Sequence, residues 1–444
     1  MASSSAAYRS IARNTRFLVT GEIVARAIRA IYLILLARLL GPDLFGLLSY
    51  AQFWQLLFFA LVVFGTGRVL SREIGRDPAG FPEVLASALT LRVLIGLIVA
   101  SIAAFVGWWL APDAAARQLA VIFSLALVAR GIASFAQQIF IASEASHLTL
   151  RQEAVWRSTE ALLGLTVLAV GGGLVGIAGA HLLSWVLQAG SGLMLVRRDL
   201  HPLFLGWYRQ RVRTLLQDGL SAMLVASALS VILNGTLVLY LNLFPDRADT
   251  GQLAVVLQAL MLLLLLPKAL ATSALPILGR QVAAGEGDDG RTIAMLLRLT
   301  LLASAVIALL GMSLTSRITE LVLGAGYASA GTWLGPGLWL LLPFGIGQLL
   351  SQHLFAHGQI WPNAIRAWAG AMGTLLTLWP LGHWMGGAGV LLAVGIGLLC
   401  WALALARHTL RHGLLKLDPG LLWAVSLASA SAVIATGMSM SNLI

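Results

Sequence analysis

Long apolar segments follow one another along almost the whole chain of 444 residues. A helix that crosses the hydrocarbon core of a bilayer needs roughly 20 mostly apolar residues, and thirteen segments meet this requirement. The sequence therefore predicts an all-α, polytopic membrane protein with about 13 (12–14) transmembrane helices. The segments are 17–40, 45–70, 84–110, 116–141, 154–173, 174–196, 214–243, 251–279, 293–313, 332–355, 363–383, 387–406 and 420–442.

The composition excludes several function classes. Hydrophobic residues make up 59% of the chain and charged residues 11%, against about 45–50% and 25% in soluble domains. A soluble enzyme, a disordered chain and a nucleic-acid binder are therefore excluded. The net charge of +11 is interpreted as a match to an anionic membrane surface or an anionic substrate.

No motif predicts a catalytic site or a cofactor. The single cysteine, Cys400, makes neither an intrachain disulfide nor a thiolate cluster. No Walker loop, dinucleotide fingerprint or Ser/His/Asp set is present. His353 and His357 share one helical face, but no carboxylate or cysteine lies near them in the sequence. We therefore expect no cofactor, no metal site and no enzymatic activity.

Basic residues predict the orientation of the chain in the membrane. With the N-terminus in the cytoplasm, the cytoplasmic segments hold eighteen lysines and arginines and the opposite loops hold three. Such an excess is typical of cytoplasmic loops. The N-terminus is therefore predicted to be cytoplasmic. Arg157 is counted among the eighteen.

The two halves of the chain resemble each other. Arg92 matches Arg298 at an offset of 206, and Gln138 matches Gln352 at an offset of 214. Six spans per repeat predict two pseudo-symmetric six-helix lobes around a central cavity. The predicted parts are a cytoplasmic N-terminal segment at 1–16, an N-lobe at 17–198, a basic cytoplasmic linker at 199–213, a C-lobe at 214–412 and an extra C-terminal span at 413–444.

Six basic residues lie deep within the predicted spans. Each would cost roughly 2.5–3.5 kcal/mol at the bilayer centre, so most must face the protein interior or water. Only three acidic residues lie in the spans, which leaves an excess of positive charge. Arginine binds phosphate oxygens two at a time, so the pattern predicts a cationic cavity for a phosphate or pyrophosphate. The six are Arg26, Arg29, Arg92, Arg130, Lys268 and Arg298, and the acids, assigned to coupling or salt bridges, are Glu22, Glu160 and Asp218.

Structural roles compete with substrate binding at several of these positions. Glu22 and Arg26 are four residues apart and can form a salt bridge within one helix. Arg130 can bond a backbone carbonyl instead of a ligand. Lys268 follows Pro267, which frees a carbonyl in its own helix. Arg29 is the residue left over for a substrate.

Two sequence motifs resemble a known family. The segments Leu-Ala-Arg-Leu-Leu-Gly-Pro-Asp-Leu-Phe-Gly-Leu (36–47) and Leu-Ser-Arg-Glu-Ile-Gly-Arg-Asp (70–77) resemble the polysaccharide transporter family. Segment 266–280, which begins Leu-Pro-Lys-Ala-Leu, is also similar to it. Members of this family are lipid-linked oligosaccharide flippases of the multidrug/oligosaccharidyl-lipid/polysaccharide exporter superfamily.

The resemblance implies a function. Such a protein moves an undecaprenyl-pyrophosphate-linked glycan across the bacterial inner membrane by alternating access, for O-antigen or exopolysaccharide export. Its expected partners are that lipid-linked glycan, the bilayer and other membrane proteins of polysaccharide assembly. The alternatives are a cation-coupled multidrug extruder of the same superfamily, a membrane-embedded enzyme of glycan assembly and a non-transporting scaffold. The excess of basic residues disfavours the extruder, and the short loops disfavour the enzyme.

Overall fold

A computed structural model describes the backbone of residues 2–77, 79–285, 289–415, 419–428 and 431. Side chains are described from Phe17 onward within these ranges, except at 18, 19, 22, 68, 71, 72, 75 and 76. The described part contains helices and no strand. The chain divides into two compact units at the bond between Ser230 and Val231.

The first unit contains seven helices. Most of its segments begin and end close to the predicted spans, although α1 ends at Val63 within predicted span 45–70 and α5 begins at Ser146 rather than 154. Gly171 and Gly173, both at positive φ, separate the fifth from the sixth as the sequence predicted. The helices are α1 (Ala2–Val63), α2 (Thr66–Arg76), α3 (Phe81–Leu110), α4 (Ala114–Ala142), α5 (Ser146–Ala169), α6 (Gly173–Asp199) and α7 (Arg209–Ser230).

Helix α1 is interrupted at Gly41. This glycine has φ 72° and ψ 171°, and Pro42 follows it. A 62-residue helix would be about 93 Å long at 1.5 Å per residue, about three times the thickness of the hydrocarbon core. Glycine accepts the positive φ without a steric penalty, and proline cannot donate the next backbone hydrogen bond. The interruption therefore separates the two predicted spans 17–40 and 45–70.

Contacts between helices show how the first unit is packed. The part of α1 before Gly41 runs parallel to α5, and the part after it runs parallel to α4, whereas α5 and α6 run antiparallel. These directions alternate along the chain, as a bundle of consecutive transmembrane helices requires. The contacts are Gly21 with Leu150, Tyr32 with Gly164, Trp54 with Ser124, Val62 with Gly131, Trp156 with Ser191 and Val167 with Gly176.

The second unit begins with a π-helical turn, Val231–Gly235. Predicted span 251–279 is two consecutive helices, because Pro267 has no N–H to bond the carbonyl of Leu263. The helices are α8 (Thr236–Leu243), α9 (Arg247–Leu263), α10 (Leu265–Ala284), α11 (Asp289–Leu323), α12 (Ala328–Gly337), α13 (Leu341–Ala356), α14 (Ile360–Arg411) and Pro419–Ala428.

Helix α14 folds back on itself. It contains 52 residues and is interrupted at Gly386, with φ 57° and ψ −140°. Arg366, near its start, lies 2.7 Å (Nη2 to Nδ1) from His408, near its end. The two halves are therefore antiparallel and match the predicted spans 363–383 and 387–406.

Eight helical stretches in the described part of the chain are long and apolar enough to cross a membrane. One of them is α14, which counts once although it folds back. The chain is therefore a multi-pass membrane protein. The total of about thirteen spans and the cavity between two lobes remain predictions.

The second unit is closely packed around Trp401. This residue has no exposed surface, and its indole lies against Gly347 so closely that a Cβ atom at position 347 would overlap the ring. Gly347→Ala is therefore expected to destabilise the protein by about 1–3 kcal/mol, because a buried indole cannot move aside freely. Thermal unfolding in detergent measures this as a lower Tm.

The matched control is Gly179→Ala. Gly179 is also helical, but no atom lies within 4 Å of a Cβ atom built there. Alanine has the higher helix propensity, so this variant should be as stable as the wild type or slightly more stable. Equal Tm values for the two variants would contradict the packing argument.

Arg211 joins three acidic side chains at the start of α7. Its Nη2 lies 2.7 Å from Asp77 Oδ2, its Nε lies 3.5 Å from Glu83 Oε2, and its Nη1 lies 3.8 Å from Glu73 Oε2. The backbone N–H of Gly80 also donates to Asp77 Oδ1 at 3.0 Å. The hydrogen bond from Gly80, followed by that from Arg211, holds the pKa of Asp77 below its ordinary value of 3.8.

This contact predicts a pH-dependent stability. Because the pKa of Asp77 is lowered in the folded protein, its ionised form stabilises the fold above about pH 4, and this contribution is lost as the pH falls through the folded-state pKa. Arg211→Ala should therefore lower Tm at pH 7, and the difference from the wild type should shrink below pH 4. A difference that is constant from pH 7 to pH 3 would contradict the assignment.

Candidate functional site

Charged and polar side chains meet inside the first unit, between helices that are otherwise apolar. We call this set the arginine cluster. Helices α1, α4, α5 and α6 each contribute to it, so the cluster joins parts of the chain up to 159 positions apart in sequence. Its members are Arg29, Gln55, Arg130, Glu153, Arg157, Glu160, His181 and Gln188.

Helix geometry places these side chains together. Glu153, Arg157 and Glu160 are at i, i+4 and i+7, so they lie on one face of α5. His181 and Gln188 are seven residues apart on α6, again on one face. Because α5 and α6 run antiparallel, Glu160 meets His181 and Arg157 meets Gln188.

Arg157 is the most enclosed arginine of the cluster, with 5% of its side chain exposed. Its Nη1 bonds Glu160 Oε2, its Nη2 donates to Gln188 Oε1, and its Nε lies 3.7 Å from Glu153 Oε2. The guanidinium carbon also lies 4.1 Å from the centre of the Trp185 ring. Arg157 Nε is buried without a hydrogen-bond partner among the described residues, but both Nη atoms are occupied, so Arg157 is not available to a ligand.

His181 links the ion pair to α1. Its Nδ1 lies 2.6 Å from Glu160 Oε1, and its Nε2 lies 3.2 Å from Gln55 Oε1. Both ring nitrogens face oxygen acceptors, and a neutral imidazole can donate to only one of them. The ring stacks on Phe123 at 4.4 Å between centroids.

Arg130 has a different environment from Arg157. Its Nη1 donates to Gln55 Oε1 at 2.8 Å, and its guanidinium carbon lies 4.2 Å from the Phe59 ring centre and 5.1 Å from that of Trp185. Among the residues described, no carboxylate lies within ion-pair distance of Arg130. The side chain is half-buried.

Arg29 is also half-buried. It interacts electrostatically with Glu160, Arg157 and Glu153, and it repels Arg130. In the part of the chain that the structure describes, no side chain forms a hydrogen bond or an ion pair within 4.0 Å with Arg29. The cluster thus contains two half-buried arginines without a direct carboxylate partner among the described residues.

Charges in the cluster do not balance. Three arginines stand against two glutamates, and both glutamates face Arg157. The arrangement can bind an anion, because Arg29 and Arg130 offer donors and positive charge in a region from which water is largely excluded. It offers no unpaired carboxylate to a cation.

Arg92 is placed elsewhere in the first unit. It is 2% exposed and donates to Thr66 Oγ1 at 2.5 Å, to Gln138 Oε1 at 3.1 Å and to the carbonyl of Gly131 at 3.4 Å. All three acceptors are neutral, and together they hold α2, α3 and α4. These contacts are those of a structural arginine, so a role in binding remains only a prediction.

The other predicted residues divide between the two units. Arg26 repels Arg29 electrostatically, and the side chain of Glu22 lies outside the described part. Asp218 is exposed on α7. Lys268 is exposed on α10, and Arg298 on α11 lies against Gly420. Their roles in binding or coupling remain predictions.

Five members of the cluster were not among the predicted site residues. Arg157 was counted in a cytoplasmic segment, whereas it lies eleven residues inside α5 and is buried. The spacing of Glu153, Arg157 and Glu160 was a signal that could have found it. Gln55, His181 and Gln188 carry no such signal, because neutral polar residues in apolar helices are common and only packing shows which of them meet.

Comparison with known families gives one match. The model of a family described as polysaccharide biosynthesis protein matches residues 11–281, which is more than half of the chain. The match includes every member of the arginine cluster. The comparison with curated proteins gave no match.

Solved structures share the fold at low sequence identity. An inward-facing multidrug resistance MATE family transporter of the MOP superfamily has a TM-score of 0.70 and 14% identity, over 93% of this chain and 98% of that one. The lipid II flippase MurJ, in an inward closed conformation, has a TM-score of 0.69 and 15% identity, over 96% and 99%. A MOP superfamily transporter from Pyrococcus furiosus, described as having a binding pocket of reverse polarity, has a TM-score of 0.64 and 17% identity, over 95% and 96%. All three are transporters or flippases.

Glu160 is the carboxylate on which the cluster's stability depends, so Glu160→Gln is expected to destabilise the protein. The substitution removes the carboxylate that bonds both Arg157 and His181 and leaves Arg157 only Glu153, at 3.7 Å. Removing one partner of a buried pair costs about 3–5 kcal/mol. The control is Asp199→Asn, which breaks the exposed pair of Asp199 with Arg198 and should cost under about 1 kcal/mol. Thermal unfolding in detergent compares the two variants, and equal Tm values would contradict the structural role of Glu160.

Proposed function

This chain belongs to the polysaccharide biosynthesis protein family, and from this premise we propose that it is a flippase for a lipid-linked oligosaccharide. The proposed substrate is a polyprenyl-pyrophosphate-linked glycan, moved across the bacterial inner membrane by alternating access. The product would serve assembly of a surface polysaccharide such as O-antigen or exopolysaccharide. We further propose that the N-terminus is cytoplasmic, as the basic residues predict.

One observation carries this proposal. Arg29 and Arg130 are half-buried in a membrane-spanning bundle and have no carboxylate partner among the described residues. A pyrophosphate linked to a lipid carries negative charge and several acceptor oxygens, which two guanidinium groups can bind in forks. Binding would offset the cost of keeping these charges out of water.

The remaining cluster residues would support the two arginines rather than bind substrate. Gln55 holds Arg130 at 2.8 Å, and Glu160 and Glu153 hold Arg157, whose charge lowers the electrostatic penalty of a nearby anion. Both the fold shared with MurJ, which is described as a lipid II flippase, and the family assignment support a lipid-linked substrate. Proteins of polysaccharide assembly and the bilayer itself are the proposed partners.

A multidrug extruder is the second candidate, since MATE transporters share the fold. Extrusion of a cation would need a carboxylate available to it. In the described part of the arginine cluster, Glu160 pairs with Arg157 and His181, and Glu153 accepts from Gln188 at 2.9 Å. This pairing favours the flippase.

The double variant Arg29→Ala/Arg130→Ala is expected to lose the substrate while remaining inserted. A hydrogen bond to a charged group contributes about 1.5–3 kcal/mol, so loss of both arginines should weaken binding by about 100-fold or more. Mass spectrometry of lipids that co-purify with the protein measures this, with surface polysaccharide production in cells as the activity readout.

Arg117→Ala is the matched control, because Arg117 also lies on α4 but contacts Trp108 outside the cluster. It should retain the lipid at the wild-type level. Equal enrichment of the polyprenyl-pyrophosphate glycan on wild type and double variant would refute the assignment of the site. Absence of the lipid from all three proteins, in cells that make it, would favour the extruder.

A further inference from the structure

Two histidines and an aspartate meet at one end of the second unit. Asp289 is the first residue of α11, His353 lies in the last turn of α13, and His357 follows the end of that helix. Because α11 and α13 run antiparallel, the start of one meets the end of the other. A carboxylate 64 positions away in sequence thus joins the histidine pair, although none lies near the pair in the sequence.

The three potential ligand atoms form a nearly equilateral triangle. Asp289 Oδ2 lies 2.9 Å from His353 Nε2 and 2.8 Å from His357 Nε2, and the two nitrogens are 3.2 Å apart. Ligand atoms in a tetrahedral Zn²⁺ site, with bonds of about 2.05 Å, are about 3.3 Å apart. The observed triangle has a circumradius of about 1.7 Å, so an ion about 1.1 Å above its plane would be at bonding distance from all three atoms.

The chemistry of the three groups also matches a metal ion. Both imidazoles direct Nε2 at the same carboxylate oxygen, so without an ion two N–H groups must converge on one acceptor. The remaining ring nitrogen of His353 is buried and has no hydrogen-bond partner among the described residues. Nε2 is therefore the atom through which this fully buried ring makes its polar contacts. Imidazole nitrogen with one carboxylate oxygen is a ligand set that Zn²⁺ and similar ions prefer.

From this geometry we propose that Asp289, His353 and His357 form a binding site for a divalent transition-metal ion, with Zn²⁺ as the expected ion. The ion would join the beginning of α11 to the end of α13. Three protein ligands leave a fourth position for water or another ligand. His357 is the most accessible member, with 19% of its side chain exposed, so the ion would enter beside it.

A second histidine pair in the same unit lacks the carboxylate that the proposed site has. His408 and His412 are also four residues apart, with ring centroids 4.1 Å from each other. His408, however, contacts Arg366 at 2.7 Å and Gln359 at 2.5 Å. A positive charge and an amide face this pair where a carboxylate faces the other, so it supplies a matched control.

The test measures metal content directly. The protein is purified through a tag without histidines, stripped with a chelator, equilibrated with micromolar Zn²⁺ and freed of unbound metal. Inductively coupled plasma mass spectrometry should then find about one Zn²⁺ per chain in the wild type. Since a supporting partner alone is worth about 10–100-fold in affinity, loss of a direct ligand in Asp289→Asn or His357→Gln should weaken binding by more than about 100-fold.

Two further measurements keep the test decisive. His412→Gln should bind Zn²⁺ as the wild type does. If Asp289→Asn does not fold, the metal content of His357→Gln is measured instead, because His357 is partly exposed. The visible absorption of Co²⁺ bound to the wild type is measured as well. Zn²⁺ should also raise Tm in the wild type and not in the ligand variants.

Either of two results would overturn the proposal. One is a wild-type protein without bound metal at micromolar Zn²⁺, which would make the cluster a hydrogen-bonded helix contact. The other is the same Zn²⁺ content in the wild type and in both ligand variants. Neither result depends on transport, so the metal site and the flippase can fail independently.

Discussion

The ion pair between Arg157 and Glu160 is the contact on which the arginine cluster depends. A charge enclosed between membrane-spanning helices has lost its water, and only partners within the protein can compensate for this loss. Arg157 has Glu160 and Gln188 as direct partners, and Glu160 also contacts His181, which reaches Gln55 on α1. A chain of contacts therefore runs from α5 through α6 to α1 and then to Arg130 on α4.

In this chain of contacts, the three arginines of the cluster have different partners. The carboxylates are used by Arg157, so Arg130 receives a neutral amide and two aromatic rings, and Arg29 has only longer-range interactions. Because both glutamates face Arg157, Arg29 and Arg130 remain for an anion. If the two glutamates paired with two different arginines, the cluster would still carry an excess positive charge, but only one arginine would lack a carboxylate partner.

Interruptions of the long helices follow a second constraint, the thickness of the membrane. Gly41 and Gly386 lie at positive φ inside helices of 62 and 52 residues, each too long for a single crossing. The resulting segments bring distant residues to the same depth. The contact between Asp289 and His353 arises in the same way, since α11 and α13 run in opposite directions.

Much of the fold could be predicted because it depends on local properties. Apolar segment lengths and the glycines at 171–173 placed most of the helices, although α1 ends at Val63 rather than at 70 and α11 extends to Leu323 rather than 313. Proline at 267 was expected to kink a helix, and it separates α9 from α10. The site was predicted less completely, because the cost of a deep charge can be read from sequence whereas its partner cannot.

Sequence alone therefore determined that this is a helical membrane protein with more deep cations than anions, since both properties follow from residue type and spacing along one chain. It also singled out Arg29 and Arg130. Only the tertiary structure decided which cation receives which carboxylate, moved Arg157 from a loop into the cluster, and brought Asp289 to the two histidines. The reason is physical: pairing energies depend on distances of 3–4 Å between helices, and those distances are fixed by packing rather than by position in the sequence.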